Sequence, residues 1–222
     1  MPDAKRFWND KILAWEDSRY RDHTGQGWLE WVAGKVSTSL RFRLDHAAAL
    51  LEPHVRGRPV VELGCGSGLL ARRLLAAGAA SYQGFDIADR AIARARATHA
   101  DLGARVSFDV AAVANLAPLG GAVVLSLGLF DWLDSPDIAH IFAIGRGGHY
   151  LHALSEHRAS VQQSLHRAYV HLAYGRRTGF APRYHRLAEI ERLAADQGLP
   201  LPQVVRHPRL RFGLFVSNLA SF

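Results

Sequence analysis

Beyond residue 58 the chain alternates between short apolar runs and longer stretches with helical spacing. Pro59–Leu63, Tyr82–Asp86, Val106–Val110, Ala122–Leu127 and His149–Leu154 read as strands. Between them, Leu69–Ala77, Ala88–Leu102 and Ser135–Gly145 read as helices, the last opened by Ser135-Pro136. Strands and helices alternating at these lengths predict an α/β fold, a parallel sheet with helices on both faces. The chain closes with a helix over Leu187–Gln197, ended by Gly198, and two strands at Val204–Val205 and Leu210–Leu219.

The first 56 residues read as helices. Trp8, Ile12, Leu13, Trp15 and Tyr20 recur at roughly helical spacing. After a polar break at His23–Gly27, Trp28, Leu29, Trp31 and Val32 resume it, and a third helix runs from about Ser39 to Leu51, stopped near Pro53. This segment is either an apolar cap packed on the domain or a lid with Trp15, Arg19 or Tyr20 facing a site. The expected plan is a helical cap over 1–56 and an α/β domain over 57–222, with an insertion at about 156–186.

The first strand carries an acid, Glu62, inside an apolar run, and ends in Gly64-Cys65-Gly66-Ser67-Gly68. A buried carboxylate is costly unless a partner waits for it. Glycines allow close backbone approach to a ligand, and a following helix aims its N–H groups at the same place. A second acid, Asp86, ends the next strand, where a carboxylate can take a ribose diol. A dinucleotide fingerprint would need a third glycine at position 69, which is Leu69. The string E-x-G-x-G-x-G over Glu62–Gly68 instead resembles the first motif of class I S-adenosylmethionine (SAM) methyltransferases.

That resemblance covers about residues 40–222 and implies a Rossmann-like, seven-stranded sheet whose last strand is antiparallel. It implies that Gly64 and Gly66 line the methionine and ribose portion of SAM, with Cys65 and Gly68 in the same loop. Asp86 would accept both ribose hydroxyls and Ile87 would pack on the adenine. Asp109 and Val110, ending the third strand, would lie near the adenine amino group, or Asp109 is simply a solvated strand end. Glu62 would orient the loop or hold the SAM amino group through water. Leu127 and Gly128, ending the fourth strand, would touch the methionine moiety through backbone groups. Arg41 or Arg43 could reach the SAM carboxylate, and spacing does not choose between them. Cys65 is either a reactive thiol or a small filler.

The fourth strand departs from the Asp/Asn-Pro-Pro-aromatic pattern of many family members and reads Leu125-Ser126-Leu127-Gly128-Leu129-Phe130-Asp131. That argues against a DNA or protein-glutamine N-methyltransferase and resembles the small-molecule enzymes. Asp131 would meet substrate or cap a helix. His152 and Glu156, on and after the fifth strand, are the candidate catalytic groups, one of which deprotonates or orients a hydroxyl acceptor. A histidine titrates near neutrality, though a core histidine is the competing reading of His152. Tyr184 and Tyr20 would close the pocket. Aromatic and basic residues interleave through the insertion, from His166 and Tyr169 to Arg176, Arg177 and Tyr184.

Composition narrows this reading. Of 222 residues 49% are hydrophobic, enough for an ordinary buried core. No apolar run reaches the roughly 18–20 residues that span a bilayer, and no signal-peptide core precedes Phe7, so a cytoplasmic enzyme is expected. The net charge of +7 is spread over scattered arginines without a stripe, so nucleic acid is an unfavoured partner and an anionic small acceptor an expected one. One cysteine and no H-x-H or H-E-x-x-H spacing leave no metal expected. The expected function is SAM-dependent methylation of a small molecule at a hydroxyl or carboxylate oxygen. The rivals are an RNA or protein methyltransferase and a non-catalytic SAM-binding module. The sequence does not reveal the oligomeric state.

Overall fold

The computed structural model describes residues 4–20, 28–158, 163, 182–210 and 212–220; the side chains of residues 15, 18–20 and 28–39 are outside the description. The chain runs α1 (Ala4–Tyr20), α2 (Trp28–Val55), β1 (Pro59–Leu63), α3 (Ala71–Ala76), β2 (Ser81–Asp86), α4 (Asp89–Thr98), β3 (Val106–Val110), β4 (Val123–Leu127), α5 (Ser135–Ile144), β5 (His149–Ser155), α6 (Leu187–Asp196), β6 (Gln203–Val205) and β7 (Gly213–Ser217). The seven strands form one sheet in the order β3-β2-β1-β4-β5-β7-β6. Strands β1 to β5 are parallel, and β7 enters antiparallel between β5 and β6.

Strand residues alternate between two cores because successive side chains leave opposite faces. Val60, Val123, Leu125, Leu151 and Phe215 pack with Ala47, Leu51, Leu74 and Ile92 under α2, α3 and α4. Val61, Leu63, Val124, Tyr150 and Leu154 pack with Ile138, Phe142, Ile190 and Leu193 under α5 and α6. Both faces are thereby covered, as a parallel sheet requires.

Two elements differ from expectation. The helices expected near Trp28 and from Ser39 are one, α2, which continues two residues past Pro53. A proline in the last turn loses only one backbone bond, and Ala47, Ala48, Leu51 and Val55 are fully buried against the sheet. The second half of α2 is therefore a layer of the core. The expected strand from Leu210 begins at Gly213, after a short 3-10 turn over Pro208–Leu210. Helix α5 starts at Ser135, as expected, and is capped by the Asp134 carboxylate, which accepts from Asp137 N at 3.1 Å.

Candidate functional site

The order β2-β1-β4 places the loop after β1 at the point where the chain reverses direction across the sheet, the position at which open α/β sheets bind ligands. Hydrogen bonds from Gly64 N and Cys65 N to Phe85 O, at 2.8 and 3.1 Å, tie this loop to β2. Gly66 N donates to Asp86 Oδ2 at 3.0 Å, and Ala88 N to Asp86 Oδ1 at 2.8 Å. The Asp86 carboxylate thus bridges the glycine loop and the start of α4. Gly66 has φ +54°, and a Cβ there would stand 2.1 Å from Glu16 Oε1. The positive φ favours glycine at this position, and the Glu16 carboxylate fills the space a side chain would take.

Three carboxyl groups converge on this loop. Glu62, 5% exposed, accepts from the Tyr82 hydroxyl on the neighbouring strand, so its expected partner is a phenol. Burial pushes its carboxyl up to about 8, opposed by the Tyr82 bond and reinforced by the charges of Glu16 and Asp86. Burial also raises Asp86, against the pull of the backbone N–H groups of Ala88, Gly66 and Ile87. Glu16, on α1, accepts from Ser67 N at 2.9 Å and is raised by burial and by Asp86, against Ser67 and Arg94. Nothing in the sequence singled out Glu16, one acid on a polar helix. Cys65 is buried against Gly84 and Phe108, and desolvation holds its thiol well above the usual range, so it is the filler rather than a nucleophile.

At the end of β4, Gly128 has φ +86°, and a Cβ there would lie 2.8 Å from Arg43 Nη1. Of the two arginines that spacing left open, Arg43 thus lies against the β4 end. Its Nε is buried without a hydrogen-bond partner. An incompletely paired guanidinium beside a backbone that admits no side chain suits a carboxylate ligand. Half-buried Ile87 and Leu127 flank the loop, and Val110 is exposed at the end of β3, in register with Asp86. These surfaces fit the groups that SAM would present: a ribose at Asp86, a carboxylate at Arg43 and an adenine beside Ile87 and Val110.

The other expected residues are placed differently. Asp109 pairs with Arg96 Nη2 at 3.2 Å on an exposed edge, which is the solvated strand-end reading. His152 is a core residue: it is 1% exposed, stacked on Phe130 and Tyr150, and hydrogen-bonded through Nδ1 to Ser126 Oγ at 3.0 Å. Desolvation lowers it to about 3, so it is neutral at physiological pH and enclosed in the core. This corrects its reading as a base. Glu156 is clasped by Arg206 at 2.6 Å and Arg158 at 2.7 Å, and these bonds hold its carboxyl below the usual range. A carboxylate so stabilised is a poor base, a second correction. Its backbone N–H donates to Phe212 O, and a bridge joins it to His185, so the clasp closes the neck of the insertion.

Asp131 is buried, accepts from Ser155 N at 2.7 Å and Ser155 Oγ at 2.8 Å, and ties the turn after β4 to the end of β5. It neither meets solvent nor caps a helix. Tyr184 is half-buried at the base of the insertion. The Tyr20 side chain, and His166, Tyr169, Arg176 and Arg177, lie outside the described residues. Among the described residues no group of three potential metal ligands occurs, and no helix is long and apolar enough to cross a membrane.

Residues 60–145 match the methyltransferase domain family. No curated protein matches the sequence. Among solved structures, the chain is similar to magnesium protoporphyrin IX methyltransferase from Synechocystis PCC 6803 with bound S-adenosylhomocysteine (SAH). Identity is 18%, with 96% of each chain covered and a TM-score of 0.72. It is similar to geranyl diphosphate methyltransferase in complex with its diphosphate and sinefungin, at 17% identity, 96% of each chain and a TM-score of 0.64. It is also similar to a SAM-dependent methyltransferase from Mesorhizobium loti, at 19% identity, 78% of this chain, 98% of the other and a TM-score of 0.60.

Proposed function

We propose that this chain is a class I SAM-dependent methyltransferase that transfers the methyl group of SAM to the carboxylate of a small anionic molecule, forming a methyl ester. SAM supplies a methyl group already activated by its sulfonium. The chain's task is then to hold the reacting groups in line at close range, which by itself accounts for much of the rate. Asp86 takes the ribose hydroxyls, the Gly64–Gly68 backbone lies against the methionine portion, and Arg43 faces the carboxylate from the β4 side.

The observation that carries the choice of acceptor is the commitment of both expected bases. His152 is neutral in the core, and Glu156 is neutralised between two arginines. A hydroxyl acceptor needs a base, whereas a carboxylate with a pKa of about 4 is already ionised at neutral pH. The net charge of +7 suits such an acceptor. Two of the similar structures are named for methylation of small molecules, which supports a small acceptor over a macromolecule.

The test is transfer of labelled methyl from SAM to a panel of small carboxylic acids and phenols. The expected product loses its label as volatile methanol in mild alkali, as esters do. Label that survives alkali on a phenol or an amine would overturn the carboxylate assignment.

A further inference from the structure

Helix α1 is fastened to the domain in an unusual way. Among its described side chains Glu16, at 7% exposure, is the only buried one. Phe7, Trp8, Ile12 and Leu13 are half-buried, and several contacts of the helix are polar. Lys5 pairs with Asp89 at 3.0 Å, Asp17 with Arg94 at 3.0 Å, and Asn9 Oδ1 accepts from Arg90 N at 3.1 Å. Trp8 meets Trp132 edge-on with ring centroids 4.9 Å apart. Exposed ion pairs contribute little to its hold, and a buried carboxylate opposes docking unless a ligand's charge compensates it. That acid sits directly over Gly66 and accepts from Ser67 N, within electrostatic reach of Asp86 and Glu62.

We propose that Glu16 makes α1 a lid that reads the charge of the cofactor. The inference rests on SAM binding at the glycine loop. SAM carries a sulfonium, an ammonium and a carboxylate, a net charge of +1; SAH lacks the sulfonium and is neutral overall. Burial raises the carboxyls of Glu16 and Asp86, and the charge of Asp86 raises Glu16 further; a cation beside them relieves both, and a neutral ligand offers nothing comparable. Of the acids around the loop, Glu16 alone is carried by α1 and not by the sheet. Its attraction to SAM holds α1 closed over the loaded substrate, and loss of the sulfonium on methyl transfer removes that attraction and frees the product.

The experiment is calorimetry with SAM, SAH and sinefungin, a cationic analogue that cannot transfer a methyl, on wild type and Glu16→Gln. The amide keeps an acceptor for Ser67 N and removes the charge. Trp8–Trp132 fluorescence reports α1 docking in the same samples. The variant should lose about tenfold in affinity for SAM and sinefungin and little for SAH. Both cations should perturb the tryptophan signal more than SAH in wild type, and equally with SAH in the variant. An equal change for all three ligands, or no change, would overturn the charge-reading role while leaving the cofactor assignment intact. Failure of wild type to bind any of the three would instead overturn the cofactor assignment itself.

Discussion

Glu62 and Glu156 are glutamates of nearly equal burial, 5% and 8% exposed, at the carboxyl-end side of the same sheet. Their electrostatics are opposite. Glu62 has a phenol, two neighbouring acids and no cation, and its carboxyl rises to about 8. Glu156 has two arginines within 2.7 Å, and its carboxyl falls. Burial alone therefore does not distinguish a binding site from a strut. The distinction lies in charge left uncompensated by the protein. Around the glycine loop three acids gather with partial compensation from Arg94 at Glu16, and Arg43 is left incompletely paired, whereas after β5 Glu156 is held by two arginines.

Four variants break or sharpen that contrast. The largest effect is expected at Glu62, and it depends on pH. The folded chain keeps Glu62 protonated up to about pH 8, whereas the unfolded chain releases that proton near 4.5. The cost of burying it is absent below pH 4.5, grows as pH rises and levels off above 8. Glu62→Gln should therefore gain stability over wild type progressively from pH 5 to pH 8, by several kcal/mol in urea unfolding. A difference independent of pH would show that Glu62 is not held protonated.

Next comes His152→Ala. Removing a ring packed between Phe130 and Tyr150 leaves a cavity, with an expected loss of about 2–4 kcal/mol in unfolding free energy. Affinity for SAH at moderate temperature should stay within twofold. Turnover that collapses while the variant remains folded would return His152 to a catalytic role.

Asp86→Ala should weaken SAH by at least tenfold in calorimetry, since each hydrogen bond to a charged group contributes about 1.5–3 kcal/mol. Part of that loss comes from the loop, because Gly66 N and Ala88 N lose their acceptor. Unchanged affinity would place the ribose elsewhere.

The smallest effect is expected from Glu156→Gln, about 1 kcal/mol of stability at pH 7, because both arginine partners are partly exposed. Its carboxyl is lowered on folding, so its contribution is present above about pH 4.5 and disappears as pH falls through the folded value. Turnover of the variant should match wild type. A loss of a hundredfold would identify Glu156 as the base.

The glycine loop was legible because its chemistry is contiguous. Glu62, the alternate glycines and Asp86 are spaced by backbone geometry alone, and strand β1 begins and ends where the pattern predicts. The end of β4 was half legible. Gly128 could be placed from its strand, but choosing Arg43 over Arg41 needed the rotation of α2 against the sheet. The polar residues after β5 were misleading for a related reason. A run of His, Ser, Glu and Arg reads as chemistry in one dimension, yet His152 points into the α5–α6 core and Glu156 finds Arg206 fifty residues away.

By itself the sequence determined the strand and helix order, the two-faced sheet and the glycine loop after β1. These depend on local periodicity and on glycines within five residues of one another. Only the tertiary structure decided which charges are spent and which remain available. Pairing depends on contacts that cross the chain: Glu16 to Ser67 over 51 positions, Glu156 to Arg206 over 50, Ser126 to His152 over 26. A carboxylate has the same letter whether it faces two guanidinium groups or a phenol, and its proton affinity is set by that neighbour and by the depth of burial.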